Sequence, residues 1–307
     1  MAKEKPFEKQ FNGVLGDLKI RRDKDSINQS LADQIFDLVF QYPDSYVCTI
    51  AHTFEDLREA YRLVHQEYLN RGYCESNPSQ MHYTYYCVLP KSRTILLLEK
   101  GEKKILGTGS LILDSPCGFP AEPLFPEELR QIRGEGRRLA EVTLLAISTQ
   151  AFGKKVFSLT NLQKLIATFR LFKALFTYAR SQGVTDLIIA VNPRHEKLYQ
   201  SLTFKPMGPV RPYSGVRNNP ALLMHLDIIE FMDIKLRNRM IQKYFLEGSN
   251  IHELMRNSYH WDPIVLQNLF SEAQPLPANL FLIFQIYLKA CRSNLTDMEY
   301  CDDHRTN

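Results

Sequence analysis

No two of the six cysteines (Cys48, Cys74, Cys87, Cys117, Cys291 and Cys301) form a C-x-x-C pair. Their scatter suggests neither a zinc site nor a disulfide scaffold, and reduced thiols in a cytoplasmic protein are the expectation. Charge of one sign is also scarce. The formal net charge is +4 and no block of Lys and Arg exceeds three residues, so no nucleic acid partner is expected, while an acidic partner stays open. Long apolar runs are missing too. The best, NLFLIFQIYLKAC (279–291), is broken by Gln285 and falls short of the ~20 residues that a spanning helix needs. The basic start MAKEKPFEKQFNG is followed by no apolar segment, which argues against a signal peptide. No transmembrane segment is expected, and a peripheral membrane contact stays open.

What is present describes one globular core with additions. The chain has 307 residues, 44% hydrophobic and 23% charged, long for one domain and short for two. Residues 1–45 read as an appendage with one amphipathic helix carrying Leu31, Ile35, Leu38 and Val39. Residues 46–228 alternate between strand and helix patterns, and 229–307 read as a helical extension whose role is not legible.

Within the central part, YVCTIAHT reads as a strand. Thr53 with Asp56 marks a capping box that opens a helix with Leu57, Tyr61, Val64 and Tyr68 on one face. RTILLLEKGEKKILGTGSLILD reads as two strands around the turn Gly101-Glu102-Lys103. The stretch SPCGFPAEPLFPEELR carries Pro116, Pro120, Pro123 and Pro126, and an irregular loop near the surface is expected there. A strand over 139–148 follows. The next helix, from Thr160, has Leu162, Ile166, Phe169, Phe172, Phe176 and Ala179 as its stripe, with Gly183 at its end. DLIIAVNP reads as a strand, RHEKLYQSLTF as a short helix and ALLMHLDI as a last strand.

RRLAEVTLLAIS (137–148) places a carboxylate inside an apolar strand. Strict alternation puts Glu141 on one face with Leu139, Thr143, Leu145 and Ile147, and Ala140, Val142, Leu144 and Ala146 on the other. Both faces are largely apolar, as in a central strand. A carboxylate there costs several kcal/mol unless it is paired, hydrogen-bonded or wet. That cost points to a polar cavity in which the group is used. A solvated Glu141, or one paired with Arg137 or Arg138, is the structural alternative.

The order of these elements resembles the GCN5-related N-acyltransferase fold, a mixed central sheet flanked by helices. VNPRHEKLYQSLTFKPMG (191–208) is similar to the stretch where that fold leaves its fifth strand. Asn192 and Tyr199 match, and Thr203 stands where a glycine is usual. Taken together, YRLVHQEYLNRGY, MHYTYYCVLPKSRTILLLEKG, GTGSLILDSPCGFP, LFPEELRQIRGEGRRLAEVTLLAI, NPRHEKLYQSLTFKPMG and RPYSGVRNNPALLMHLDI resemble the bacterial N-acyl amino acid synthases of the FeeM type over about residues 48–228.

That resemblance implies a transferase moving a long-chain acyl group from acyl carrier protein to the amine of an amino acid such as tyrosine. The donor would be acyl-phosphopantetheine on the carrier, and no tightly bound cofactor or metal is implied. Glu141 would accept the amine proton. Tyr199 would protonate the departing thiolate. The backbone of Thr143, Leu144, Leu145 and Ala146 would hold the pantetheine amides and donate an N–H to the thioester oxygen, with Asn192 at the end of the following strand. Arg62 would face the acceptor carboxylate, against the alternative of a helix-surface ion pair with Glu59 or Glu67. In STQAFGKKVFSLTN the usual glycine-rich phosphate loop is replaced, and Lys154 and Lys155 would meet the single phosphate or the acidic carrier; two solvated lysines are the alternative. Tyr83, Tyr85 and Tyr86 would line a pocket or simply pack, and His195 reads as a capping or core residue, with His82 open. The family is also similar to acyl-homoserine lactone synthases, which use S-adenosylmethionine. Those usually carry an Arg three residues after the Glu, where this chain has Leu144. A non-catalytic acyl- or carrier-binding protein is the remaining alternative.

Overall fold

The computed structural model describes residues 46–134, 136–152 and 159–233, with 244–246, 254, 282, 285 and 289. The expected N-terminal helix, Lys154, Lys155 and most of the C-terminal extension lie outside the described residues, as does the side chain of Leu162. The elements run β1 (Tyr46–Ile50), α1 (Phe54–Leu69), β2 (Arg93–Glu99), β3 (Ile105–Leu113), α2 (Pro126–Ile132), β4 (Leu139–Ile147), α3 (Leu159–Ser181), β5 (Asp186–Val191), α4 (Glu196–Ser201), β6 (Lys205–Tyr213), β7 (Asn219–Asp227) and α5 (Ile228–Asp233).

Local chemistry accounts for the helix ends. Thr53 Oγ1 accepts from the Asp56 N–H at 3.1 Å, and the Asp56 carboxylate accepts from the Thr53 N–H at 2.9 Å, which completes the capping box of α1. Pro126 opens α2, where its missing N–H costs nothing. After α3 the chain reverses at Gly183 with φ +70°, a conformation that glycine adopts without strain.

The strands form one seven-stranded sheet in the order β1-β2-β3-β4-β5-β7-β6. All neighbours are antiparallel except β4 and β5. Each face carries its own apolar layer. On one, Ile95, Leu111, Val142, Leu187 and Met224 pack against Ile166, Phe169, Phe172 and Phe176 of α3. Phe231 and Phe245, from the described part of the C-terminal extension, join that layer against Phe176. On the other, Leu96, Ile112, Leu139 and Leu223 meet Leu57, Tyr61 and Val64 of α1.

Two expectations change. The Pro-rich stretch is irregular only as far as Phe125, since Pro126–Arg130 begin α2, and it is not superficial: Phe119, Ala121 and Phe125 are fully buried in the α1 layer. Its apolar side chains supply the cover that this face needs and that α1 alone is too narrow to provide. The second change is β6, which the sequence pattern missed. Pro206, Pro209 and Pro212 interrupt it, and it pairs on one side only, with a bulge between Met207 and Arg211. An edge strand tolerates prolines because half its N–H groups face away from any partner.

Candidate active site

The site forms where two neighbouring strands part company. β4 and β5 pair only over Leu139–Glu141 and Asp186–Ile188, and then diverge. Beyond that point β4 stays with β3 and β5 stays with β7. The fork is held at its closed end by ions. Arg137 bridges Asp186 at 3.2 Å and Asp227 at 2.8 Å, while the buried Asp186 also meets His225 at 2.8 Å and the Thr185 hydroxyl at 2.6 Å.

A bulge marks the open part of the fork. Ser110 pairs with Thr143 and Thr108 with Ala146, so Gly109 alone faces both Leu144 and Leu145. Leu144 takes φ +51°, a left-handed conformation that costs roughly 1–2 kcal/mol for a residue with a Cβ. Gly109 has to be small here, because a Cβ would lie 3.0 Å from Leu145 Cδ1 and 3.2 Å from Leu175 Cδ1. The bulge also overturns the strict alternation. Leu144 and Ala146 join Leu139 and Glu141 on the α1 face, and Leu145 and Ile147 turn toward α3. One extra residue in a strand inverts every side chain beyond it.

Glu141 is the last β4 residue paired to β5, and it is 2% exposed. Its Oε2 accepts from the Ala121 N–H at 3.0 Å, donated by the Pro-rich loop. Neither Arg137 nor Arg138 is its partner; Arg137 belongs to the ion cluster. Burial pushes the Glu141 carboxyl up to about 8; the Ala121 N–H opposes the rise, and the nearby Glu122 charge adds to it. Three phenols stand near enough to feel its charge: Tyr68 of α1, Tyr86 of the short turn over Tyr85–Val88, and Tyr213 at the end of β6. All three are held above the ordinary tyrosine range, chiefly by burial, Tyr86 at about 12. Tyr213 Oη donates to Pro120 O at 3.0 Å, which ties the same loop to the sheet edge.

Tyr199 sits in the α3 layer. Its ring packs edge-on against Phe172 at 5.6 Å and Phe204 at 6.1 Å. Burial raises its phenol, with Tyr68 and Tyr73 contributing. Tyr68 therefore neighbours both Glu141 and Tyr199, although the two sit in layers on opposite faces of the sheet. Thr203 has φ +69°, so the position where glycine is usual does require the left-handed region.

Cations gather at the open end of the fork. Arg71 donates to Glu67 O and Oε2, each at 2.6 Å. Glu67 also accepts from Thr149 N at 2.6 Å and Thr149 Oγ1 at 2.7 Å, joining α1 to the residues just beyond β4. Burial would raise the Glu67 carboxyl, and these contacts together hold it low. Arg194 lies over the Tyr73 ring at 5.4 Å and donates to its hydroxyl at 2.6 Å. Lys164 of α3 is held below the ordinary lysine range by burial and by Arg71. His195 is driven down to about 4 by burial and by Arg194, Arg71 and Lys164. No spacing in the sequence marks this group, because its members come from three separate elements.

Other expected residues fall elsewhere. The Arg62 side chain is 44% exposed on the solvent face of α1 and pairs with Glu59 at 2.9 Å. This is the helix-surface ion pair that stood as the alternative to carboxylate binding: the α1 face toward the fork belongs to Leu57, Tyr61, Val64 and Tyr68, and position 62 points away from it. Asn192 Oδ1 accepts from the Arg194 N–H at 3.2 Å and shapes the turn after β5. Tyr83 packs against Tyr61 at 5.5 Å, and His82 against Tyr68 at 4.9 Å, where burial and then His65 lower it to about 4. Among the described residues no His/Cys/Asp/Glu group is arranged to hold a metal ion, and no helix is long and apolar enough to cross a membrane.

Comparison with known proteins bears on the same region. The family model of the N-acyl amino acid synthase FeeM matches residues 59–227. The solved structure of FeeM, an N-acyl amino acid synthase from uncultured soil microbes, is 28% identical, with a TM-score of 0.51, covering 62% of this chain and 94% of that one. The acyl-homoserine lactone synthase LasI is similar at 17% identity and TM-score 0.47, over 67% of this chain and 95% of its own. A CoA-dependent acyl-homoserine lactone synthase, BjaI, is similar at 15% identity and TM-score 0.46, over 69% and 99%. No curated protein matches by sequence. With a forked N-acyltransferase sheet and a family match across more than half its length, this chain belongs to the FeeM family of N-acyl amino acid synthases and is an acyltransferase.

Proposed function

We propose that this acyltransferase moves a long-chain acyl group from the phosphopantetheine of acyl carrier protein to the amine of an amino acid of the tyrosine type. The observation that carries the reading is the buried carboxyl of Glu141 at the fork between β4 and β5. A carboxyl raised to about 8 is matched to an α-ammonium group, whose ordinary pKa is about 8. A proton passes between the two at little cost, the condition under which a general base works best.

The chemistry then balances as follows. Glu141 takes one proton from the acceptor ammonium. The freed amine attacks the thioester carbon, an N–C bond forms, and an N–H of the bulge over Thr143, Leu144, Leu145 and Ala146 receives the oxyanion. The C–S bond breaks, and the second amine proton ends on the sulfur. The raised Tyr199 phenol stays protonated, so it serves as a hydrogen-bond donor to the departing thiolate and not as a full proton source. The diverging backbone edges of β4 and β5 suit the amides of an extended pantetheine arm, as a sheet edge suits an added strand. Arg71, Lys164 and Arg194 would meet its phosphate, with Lys154 and Lys155 as further candidates, and Asn192 would hold the turn that carries Arg194. The phenols of Tyr68, Tyr86 and Tyr213 would surround an aromatic acceptor.

Single-turnover transfer from acyl carrier protein to tyrosine, with product identified by mass spectrometry, tests this. Glu141→Gln should lose transfer by about 10²–10⁴-fold in a folded protein. Transfer at the parent rate would remove Glu141 as the base, and a lactone product from S-adenosylmethionine would replace the reaction proposed.

A further inference from the structure

The loop that closes over Glu141 is tied down by one side chain that the proposed reaction does not otherwise use. Arg133, just past α2, donates through Nε and Nη2 to Asp114 at 2.8 and 3.0 Å. It also holds both carboxylate oxygens of Glu122, Oε2 through Nη2 at 2.5 Å and Oε1 through Nη1. Its guanidinium lies 5.3 Å from the centre of the Phe119 ring. Glu122 Oε2 accepts in turn from the Phe119 N–H at 3.2 Å. Gly118, at φ +72°, leaves the space this needs, since a Cβ there would come within 2.8 Å of Glu122 Oε2. One guanidinium thus joins both ends of segment 114–122, and the Ala121 N–H between them lands on Glu141 Oε2 at 3.0 Å.

We infer that Arg133 is a positioning residue for the acyl-transfer base: it fixes the loop so that the Ala121 N–H meets Glu141, and it balances the charge of Glu122 beside that carboxyl. The inference rests on the reading of Glu141 as the base. The geometry divides the work. Fully buried Phe119, Ala121 and Phe125 keep the loop packed on the sheet, whereas Arg133 sets its register and its charge. The groups facing Glu141 are Tyr68 from α1, Tyr86 from the turn before β2, Tyr213 from β6 and Glu122 from the loop itself, with Cys117 close to Tyr86. The phenols stay neutral at physiological pH, so Glu122 is the charged member of this set, and Arg133 compensates it.

The experiment reads the titration of Glu141 directly, in full-length protein labelled with ¹³C at the glutamate side-chain carboxyl. The resonance missing from Glu141→Gln identifies the group. Arg133→Gln should move its midpoint upward by about one pH unit, because a bare Glu122 charge and a displaced Ala121 N–H both favour the protonated form. Glu122→Gln keeps an oxygen for the Phe119 N–H and for Arg133 but removes the charge, and should move the midpoint downward. Arg133→Lys, able to hold one carboxylate, should fall between parent and Arg133→Gln. An unmoved or lowered midpoint in folded Arg133→Gln overturns the proposal. If that variant does not fold, Glu122→Gln decides: a downward shift supports the proposal and an unmoved midpoint overturns it. The pH profile of kcat/KM separates this from the reading beneath it. If the midpoints move as expected but the rate profile does not follow, Arg133 still positions Glu141, and Glu141 is not the base.

Discussion

Replacing Glu141 by Gln should make the protein more stable at alkaline pH while disabling it. The carboxyl has an ordinary value of 4.5 and stands at about 8 in the fold. Between those values the folded state keeps a proton that the unfolded chain has released. Unfolding then releases a proton, so stability falls by about 1.4 kcal/mol for each pH unit gained. The stabilisation is complete below about pH 4.5 and is lost as pH rises through about 8. From pH 5.5 to 8.5 the loss attributable to this one group is about 3 kcal/mol. Glutamine cannot ionise, and its amide oxygen can still accept from the Ala121 N–H. Its NH₂ needs an acceptor, at a cost of about 1 kcal/mol. By pH 5.5 the parent has already lost about 1.4 kcal/mol, so the variant should be about as stable as the parent there and about 3–4 kcal/mol more stable at pH 8.5. Urea unfolding followed by far-ultraviolet circular dichroism at both pH values measures this, with equal m-values as the check that the two proteins unfold alike. All other titrating groups are common to both chains and cancel in the comparison. A parent-to-variant difference that stays constant across the pH range would falsify the assignment of a desolvated carboxyl at the fork.

Thr203→Gly should raise stability by about 1 kcal/mol in the same assay, since it relieves a β-branched residue at φ +69° whose buried hydroxyl has no hydrogen-bond partner among the described residues; a loss would show that the side chain contributes more than the strain costs. Asp186→Asn should cost roughly 3 kcal/mol near neutral pH, because it leaves Arg137 and His225 short of a buried partner. Against the opposing effect of burial, the contacts with His225, Thr185 and Arg137 hold the Asp186 carboxyl below its ordinary 3.8, so its contribution is complete above that value and is lost as pH falls through the lowered folded value; thermal unfolding should show the full deficit at pH 7 and a deficit that shrinks steadily as pH is lowered below 3.8. Tyr199→Phe should slow single-turnover transfer by about one to two orders of magnitude with KM nearly constant, and an unchanged rate would leave Tyr199 as a packing residue. Lys164→Gln should raise KM for the acylated carrier several-fold at low salt, with the effect shrinking as ionic strength rises; salt-independent kinetics would place the phosphate elsewhere.

The sequence alone determined what depends on near neighbours along the chain. Thr53 and Asp56 specify a capping box because both partners lie within one turn, and Gly183 stops α3 because φ +70° needs no distant contact. The carboxyl of Glu141 stood out for a similar reason: an acid in an apolar strand carries its desolvation cost wherever the strand is packed. Only the tertiary structure decided where strands separate and what covers them. The bulge at Leu144 exists relative to Gly109 on a neighbouring strand, so local alternation put Leu144 and Ala146 on the wrong face. Arg62 looked suitable by type, yet the rotation of α1 against the sheet points it to solvent. Prolines argued correctly against regular structure at 116–125 but could not tell that Pro126 opens a helix or that Phe119, Ala121 and Phe125 lie over Glu141. The cations at the fork, and Arg133 spanning Asp114 and Glu122, are set by distances in space between residues far apart in the chain, which no periodicity along the chain encodes.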